Sequence, residues 1–136
     1  MTLVKEPEWH KEIIVIKQLI SATIWSEDLN NLLPFYRDVL GLKVGMEFPG
    51  VAIMGDDPLN GPALRLGSHS NVHGPNTDPY RHMVAFGTDD IQADWKRLKD
   101  AGVEFIEDPG NYGQLWVAPL KDPEGNLLQL FQYTEM

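Results

Sequence analysis

The stretch His82-Met83-Val84-Ala85-Phe86-Gly87-Thr88-Asp89-Asp90-Ile91-Gln92-Ala93-Asp94-Trp95-Lys96-Arg97-Leu98-Lys99-Asp100-Ala101-Gly102-Val103 decides the fold. His82–Phe86 reads as a strand. Thr88 is a good N-cap, and Asp89 and Asp90 suit the positive end of a helix dipole. Ile91, Trp95 and Leu98 form an apolar stripe at helical spacing. Lys96, Arg97 and Lys99 sit toward the C-terminal end, where cations are favoured. Gly102 stops the helix, and Val103 opens the next extended segment. Three further strands are expected at Val103–Ile106, Gln114–Ala118 and Leu127–Tyr133, with Asp122-Pro123-Glu124-Gly125-Asn126 as the turn before the last.

Working toward the N-terminus, the same order appears earlier. At one constant offset Ser21 stands where His82 does, Asp28 where Asp89 does, Gly41 where Gly102 does, and Leu42 where Val103 does. The segment from Ile13 to Trp25 is rich in β-branched residues and reads as a strand. Leu29, Leu32, Leu33, Tyr36, Val39 and Leu40 fall on one face of an α-helix. Its regular part is expected from about Asn31, which leaves Pro34 in the first turn. Strands follow at Leu42–Phe48, Val51–Met54 and Ala63–Leu66. The polar loop Gly67–Tyr80 joins the halves. Its His69 and His73 read as solvated loop residues. The expectation is a single α+β domain over residues 1–136. It consists of two tandem βαβββ modules (about 13–67 and 81–134) joined by a linker at 68–80.

Composition narrows the function. The 136 residues are 43% hydrophobic and contain no cysteine, so no thiolate metal site or disulfide exists. The formal net charge is -9, with 11 basic against 20 acidic residues. Nucleic acid is therefore not an expected partner. The apolar run near Ile13–Ile16 is too short to span a bilayer, and the N-terminus lacks a signal-peptide core. A cytoplasmic protein with no membrane partner is expected.

Strand alternation then selects a pocket. Ser21, Thr23 and Trp25 oppose Ile20, Ala22 and Ile24. Arg65 opposes Leu64 and Leu66. His82, Val84 and Phe86 oppose Met83 and Ala85. Gln129 and Phe131 oppose Leu128 and Leu130. The faces turned from the helices are thus expected to gather Ser21, Arg65, His82 and Gln129, with Trp25, Phe86, Trp116 and Phe131 as aromatic walls. Apolar walls with a few convergent polar groups are what a small-molecule pocket requires. No phosphate loop, Ser/His/Asp pattern or paired catalytic carboxylates accompany them.

Phe35-Tyr36-Arg37-Asp38-Val39-Leu40-Gly41-Leu42, Tyr80-Arg81-His82-Met83-Val84-Ala85-Phe86 and Asp122-Pro123-Glu124-Gly125-Asn126-Leu127-Leu128-Gln129-Leu130 resemble the vicinal oxygen chelate superfamily, the glyoxalase, bleomycin-resistance and extradiol-dioxygenase group. The resemblance runs from about Lys17 to Tyr133. It implies paired βαβββ modules whose curved mixed sheets form a cleft, a small-molecule ligand, and a homodimer that sometimes exchanges modules. It also implies lyase, isomerase or dioxygenase chemistry at a divalent metal, or metal-free sequestration of an antibiotic. The family's metal-ligand positions fall on Ser21, Arg65, His82 and Gln129. His82 is a good ligand, Gln129 a weak one, Ser21 a poor one, and Arg65 a fixed cation. No metal cofactor is expected; the alternative is a divalent ion held through His82 and Gln129.

Overall fold

The computed structural model describes residues 16–134. Eight strands form two four-stranded sheets: β1 Ser21–Ser26, β2 Val44–Phe48, β3 Val51–Met54 and β4 Ala63–Ser68 in one, and β5 Val84–Gly87, β6 Gly110–Asn111, β7 Leu115–Lys121 and β8 Leu127–Tyr133 in the other. The orders are β1-β4-β3-β2 and β5-β8-β7-β6. In each sheet the first strand pairs parallel with the last, and the remaining neighbours are antiparallel. Two sheets of the same connectivity are what the repeated landmarks predict. The fold is α+β.

The second helix forms as its sequence dictates. Helix α1 spans Ile91–Asp100. Asp90, rather than Thr88, is its N-cap, and its carboxylate accepts from the Ala93 N–H at 3.1 Å. Thr88 bonds one step earlier, accepting from the Asp90 N–H at 3.1 Å. Gln132 on β8 completes the cap: its Oε1 accepts from the Ile91 N–H at 2.9 Å and its Nε2 donates to the Asp89 carbonyl at 2.8 Å.

The first helix departs from the expectation. Leu29–Asn31 is a short 3-10 turn capped by Asp28, and Phe35–Val39 is π-helical. Pro34 lacks the N–H that an α-helix would direct at residue 30, so the regular bonding ladder cannot run through it. The Leu40 N–H consequently reaches back five residues to the Phe35 carbonyl at 2.9 Å. The apolar face is nevertheless the expected one, with Leu32, Leu33 and Tyr36 buried. Two strand expectations also change. Val103–Ile106 makes only an isolated bridge, Phe105 to Leu120. The strand expected from Ile13 begins at Ser21, and residues 13–15 lie outside the described residues.

One apolar cluster serves both halves. It joins Leu32, Leu33, Tyr36, Leu64 and Leu66 to Ile91, Leu98, Ala118, Leu120, Leu128 and Leu130. Burying each leucine stabilises the fold by about 1.5–3 kcal/mol. A buried polar contact fastens the same seam. The Tyr36 hydroxyl donates to Asp122 Oδ2 at 2.6 Å. Asp122 also accepts from the Glu124 and Asn126 N–H groups at 2.8 and 3.0 Å and from Asn126 Nδ2 at 2.8 Å. Asp122 thus organises the 122–126 turn and anchors it to the first module. Burial, and then the neighbouring Asp122 charge, push the Tyr36 hydroxyl pKa far above its usual value.

Candidate functional site

The helix-free faces of the two sheets carry the polar groups. Thr23 pairs with Arg65, Ser21 with Ala63 and Trp25 with Gly67, so Ser21, Thr23, Trp25 and Arg65 share one face. Leu64 and Leu66 point the other way, into the core. On the second sheet Ala85 pairs with Gln129 and Gly87 with Phe131, which places Gln129 and Phe131 on the face opposite Leu128 and Leu130. Phe131 meets Tyr133 edge-on, with ring centroids 6.3 Å apart.

Two aromatic expectations are corrected. Phe86 pairs with Leu130 and Val84 with Leu128, so both point to the helix side. Phe86 packs against the core and approaches Tyr36 at 6.4 Å. Trp116 pairs with Gln132 two positions from Ala118 and Leu130, and it too packs against the core. His82 precedes β5, which begins at Val84, and is exposed.

Two cavities lie between the outer edges of β1 and β5. One, of about 630 Å3, is lined by Ser21, Leu42, Met54, Leu64 and Phe86, with Lys43 and Asp56 also present. The other, of about 830 Å3, is lined by Thr23, Trp25, His73, Arg81, His82, Glu124 and Asn126. Arg65, Gln129, Trp116 and Phe131 line neither. Neither of these cavities brings the four together: Ser21 lines the first and His82 the second. Both sheets give their helix-side residues to the shared core, and Arg65 and Gln129 lie on the opposite faces.

Trp25 is held in place. Its indole lies over Gly67, where an added Cβ would come within 2.8 Å of the ring's Cε3. The Trp25 and His69 rings meet at 69°, with centroids 5.2 Å apart. Sequence reasoning missed His69 as a partner of Trp25, and it took Glu124 for a turn residue only.

The four family ligand positions offer a hydroxyl, a guanidinium, an imidazole and an amide. This set does not fit a divalent metal ion, which needs about three anionic or neutral strong donors. Among the described residues no group of three or more His, Asp or Glu is placed to hold one. Nor is any described helix long and apolar enough to cross a membrane.

Comparison with known proteins agrees with this architecture. The sequence is similar to an uncharacterised Bacillus subtilis protein, YurT, at 30% identity over 128 residues, covering 85% of this chain and 98% of that protein. Among solved structures, the fold matches a glyoxalase/bleomycin resistance protein/dioxygenase from Nocardioides (20% identity, TM-score 0.69, 93% of this chain and 91% of that one). It also matches TnmS3, an antibiotic binding protein from Streptomyces (22% identity, TM-score 0.70, 89% of this chain and 99% of that one). A sequence model of one family matches residues 18–130. With the two-sheet fold and the Tyr36–Asp122 seam joining the first and third of its family stretches, the chain belongs to the Glyoxalase/Bleomycin resistance protein/Dioxygenase superfamily.

Proposed function

We propose that this protein binds a small oxygen-bearing molecule on its helix-free sheet faces without a metal ion, sequestering it rather than converting it. The observation that carries this reading is Arg65, a permanent cation at a family ligand position and on the same face as Ser21, Thr23 and Trp25. A guanidinium repels a divalent ion, whereas it grips a carboxylate or a carbonyl oxygen through parallel N–H donors. Trp25 supplies an apolar surface beside it. The fold of TnmS3, itself an antibiotic binding protein, is consistent with a binding role.

In this reading a second copy of the chain completes the cleft, setting its Gln129 and Phe131 face against the first copy's Ser21 and Arg65 face. That accounts for how groups on separate open faces come to act on one ligand. The protein is expected to work in the cytoplasm.

A thermal-shift screen with small carboxylates tests the reading, since a ligand of the folded state raises the melting temperature. A stabilising carboxylate is expected, and Arg65→Ala should weaken it about ten- to a hundredfold, the loss of a charge-assisted contact. The bound compound should be recovered with its mass unchanged. Near-stoichiometric Zn, Ni, Fe or Mn in protein purified without chelator, or conversion of the ligand, would overturn it.

A further inference from the structure

We propose that the ligand of the Arg65 face is an aryl carboxylate, its carboxylate held by Arg65 and its ring stacked on Trp25. The assignment rests on the metal-free binding of a carboxylate proposed above and narrows it to one chemical class.

Arg65 is the available charge. Arg37, Arg81 and Arg97 each pair with an aspartate, at 2.9, 2.7 and 3.6 Å. Arg65 is half-buried, yet its side chain has no ion pair or hydrogen bond among the described residues. The chain carries 20 acidic against 11 basic residues, so carboxylates are not scarce. The register keeps them away. Thr23 lies beside Arg65 on β1, Ile53 on β3, and Met46 beyond Ile53 on β2. Ile53 is buried. A guanidinium among apolar neighbours is screened less than one in open water, so it attracts an anion more strongly.

The next row along the same face is Trp25, Gly67, Val51 and Phe48. Gly67 leaves a gap that the Trp25 indole fills; a Cβ there would collide with Cζ3 and come within 2.8 Å of Cε3. His69 braces the indole, with ring centroids 5.2 Å apart. His69 is itself held: its Nδ1 accepts from the Asn71 N–H at 3.0 Å, and its own N–H donates to the Ser26 carbonyl at 2.9 Å. The braced indole is thus presented at little cost in side-chain entropy. It nonetheless stays 41% exposed, and Phe48 in the same row is exposed as well. Among the described residues the cation seated over an aromatic ring is Lys99, over Trp95, so Arg65 does not take the Trp25 surface. Side chains two residues apart on a strand are separated by about 6.5 Å. A ligand whose ring stands a few bonds from its carboxylate spans both rows. Stacked or edge-on rings gain attraction beyond the area they bury, which an alkyl chain does not.

The test compares phenylpropionate with hexanoate, which keeps the charge, and with phenylpropanol, which keeps the ring. Binding is followed by calorimetry. Phenylpropionate is expected to bind saturably, with hexanoate about three- to tenfold weaker and phenylpropanol at least about tenfold weaker. Trp25→Leu should bring phenylpropionate down to the level of hexanoate, while hexanoate itself stays within about twofold. Gly67→Ala, which displaces the indole and keeps the tryptophan, should do the same, and it decides the matter if Trp25→Leu does not fold. Equal wild-type affinity for the two acids, or a preference for the ring that survives in a folded variant of either kind, would overturn the aryl assignment. If both acids still depended on Arg65, the carboxylate reading would stand without it. Failure of either acid to bind wild-type protein would overturn the assignment at its base.

Discussion

At the residue scale, Tyr36 and Asp122 have the largest predicted effects. Tyr36 comes from the first family motif and Asp122 from the third, and they meet in a 2.6 Å hydrogen bond with the hydroxyl donating. Tyr36→Phe leaves a buried carboxylate short of one donor, which should cost about 1–3 kcal/mol in urea unfolding. The pH dependence has a definite sign. The folded pKa of Tyr36 is raised, so its contribution is complete below the unfolded value near 10 and declines as pH rises above it, because only the unfolded chain ionises there. The stability gap between wild type and Tyr36→Phe should therefore narrow above about pH 10. A gap that widens would contradict the burial of this hydroxyl. Sequence reading placed Tyr36 on the buried face, since the apolar spacing of Leu29, Leu32, Leu33 and Tyr36 is unambiguous. It did not pair Tyr36 with Asp122, because nothing in a linear pattern connects residues so far apart.

At the element scale, the informative cases are the strands with two apolar faces. In β4 and β8 the alternation of Leu64, Arg65 and Leu66 and of Leu128, Gln129 and Leu130 sets the phase, because only one face tolerates charge or amide. In β5 both candidate faces are apolar: Met83 and Ala85 against Val84 and Phe86. The phase is then set by pairing with β8, which turns Phe86 inward. Trp116 in β7 escapes the sequence reading for the same reason. Pro34 shows a further limit, since it preserves the buried face while changing the hydrogen-bond register to a π-helix. Gln132 is the element-level test. It satisfies the Ile91 N–H and the Asp89 carbonyl at the start of α1, so Gln132→Leu should cost about 1–2 kcal/mol, read from thermal or urea unfolding. An unchanged protein would mean that water replaces the amide without loss.

At the scale of the whole molecule, the fold was legible and the site only half so. Repeated landmarks such as Gly41 and Gly102 report local chain geometry, which sequence encodes directly. Convergence of Ser21, Arg65, His82 and Gln129 depends on how two sheets are placed, which strand alternation does not encode. If a second copy completes the cleft, sedimentation velocity should give a dimer at micromolar concentration, and carboxylate binding should weaken as the protein is diluted into the monomer range. Carboxylate affinity that is independent of dilution would restrict the ligand to one chain.

The seam between the modules also bears on how this chain can be divided. A cut in the polar loop that joins the halves would break the backbone and leave both halves of the apolar cluster intact in sequence, yet neither fragment could cover its own leucines. Each alone should be insoluble or unfolded, and the two expressed together should reassemble, with Tyr36 on one piece finding Asp122 on the other.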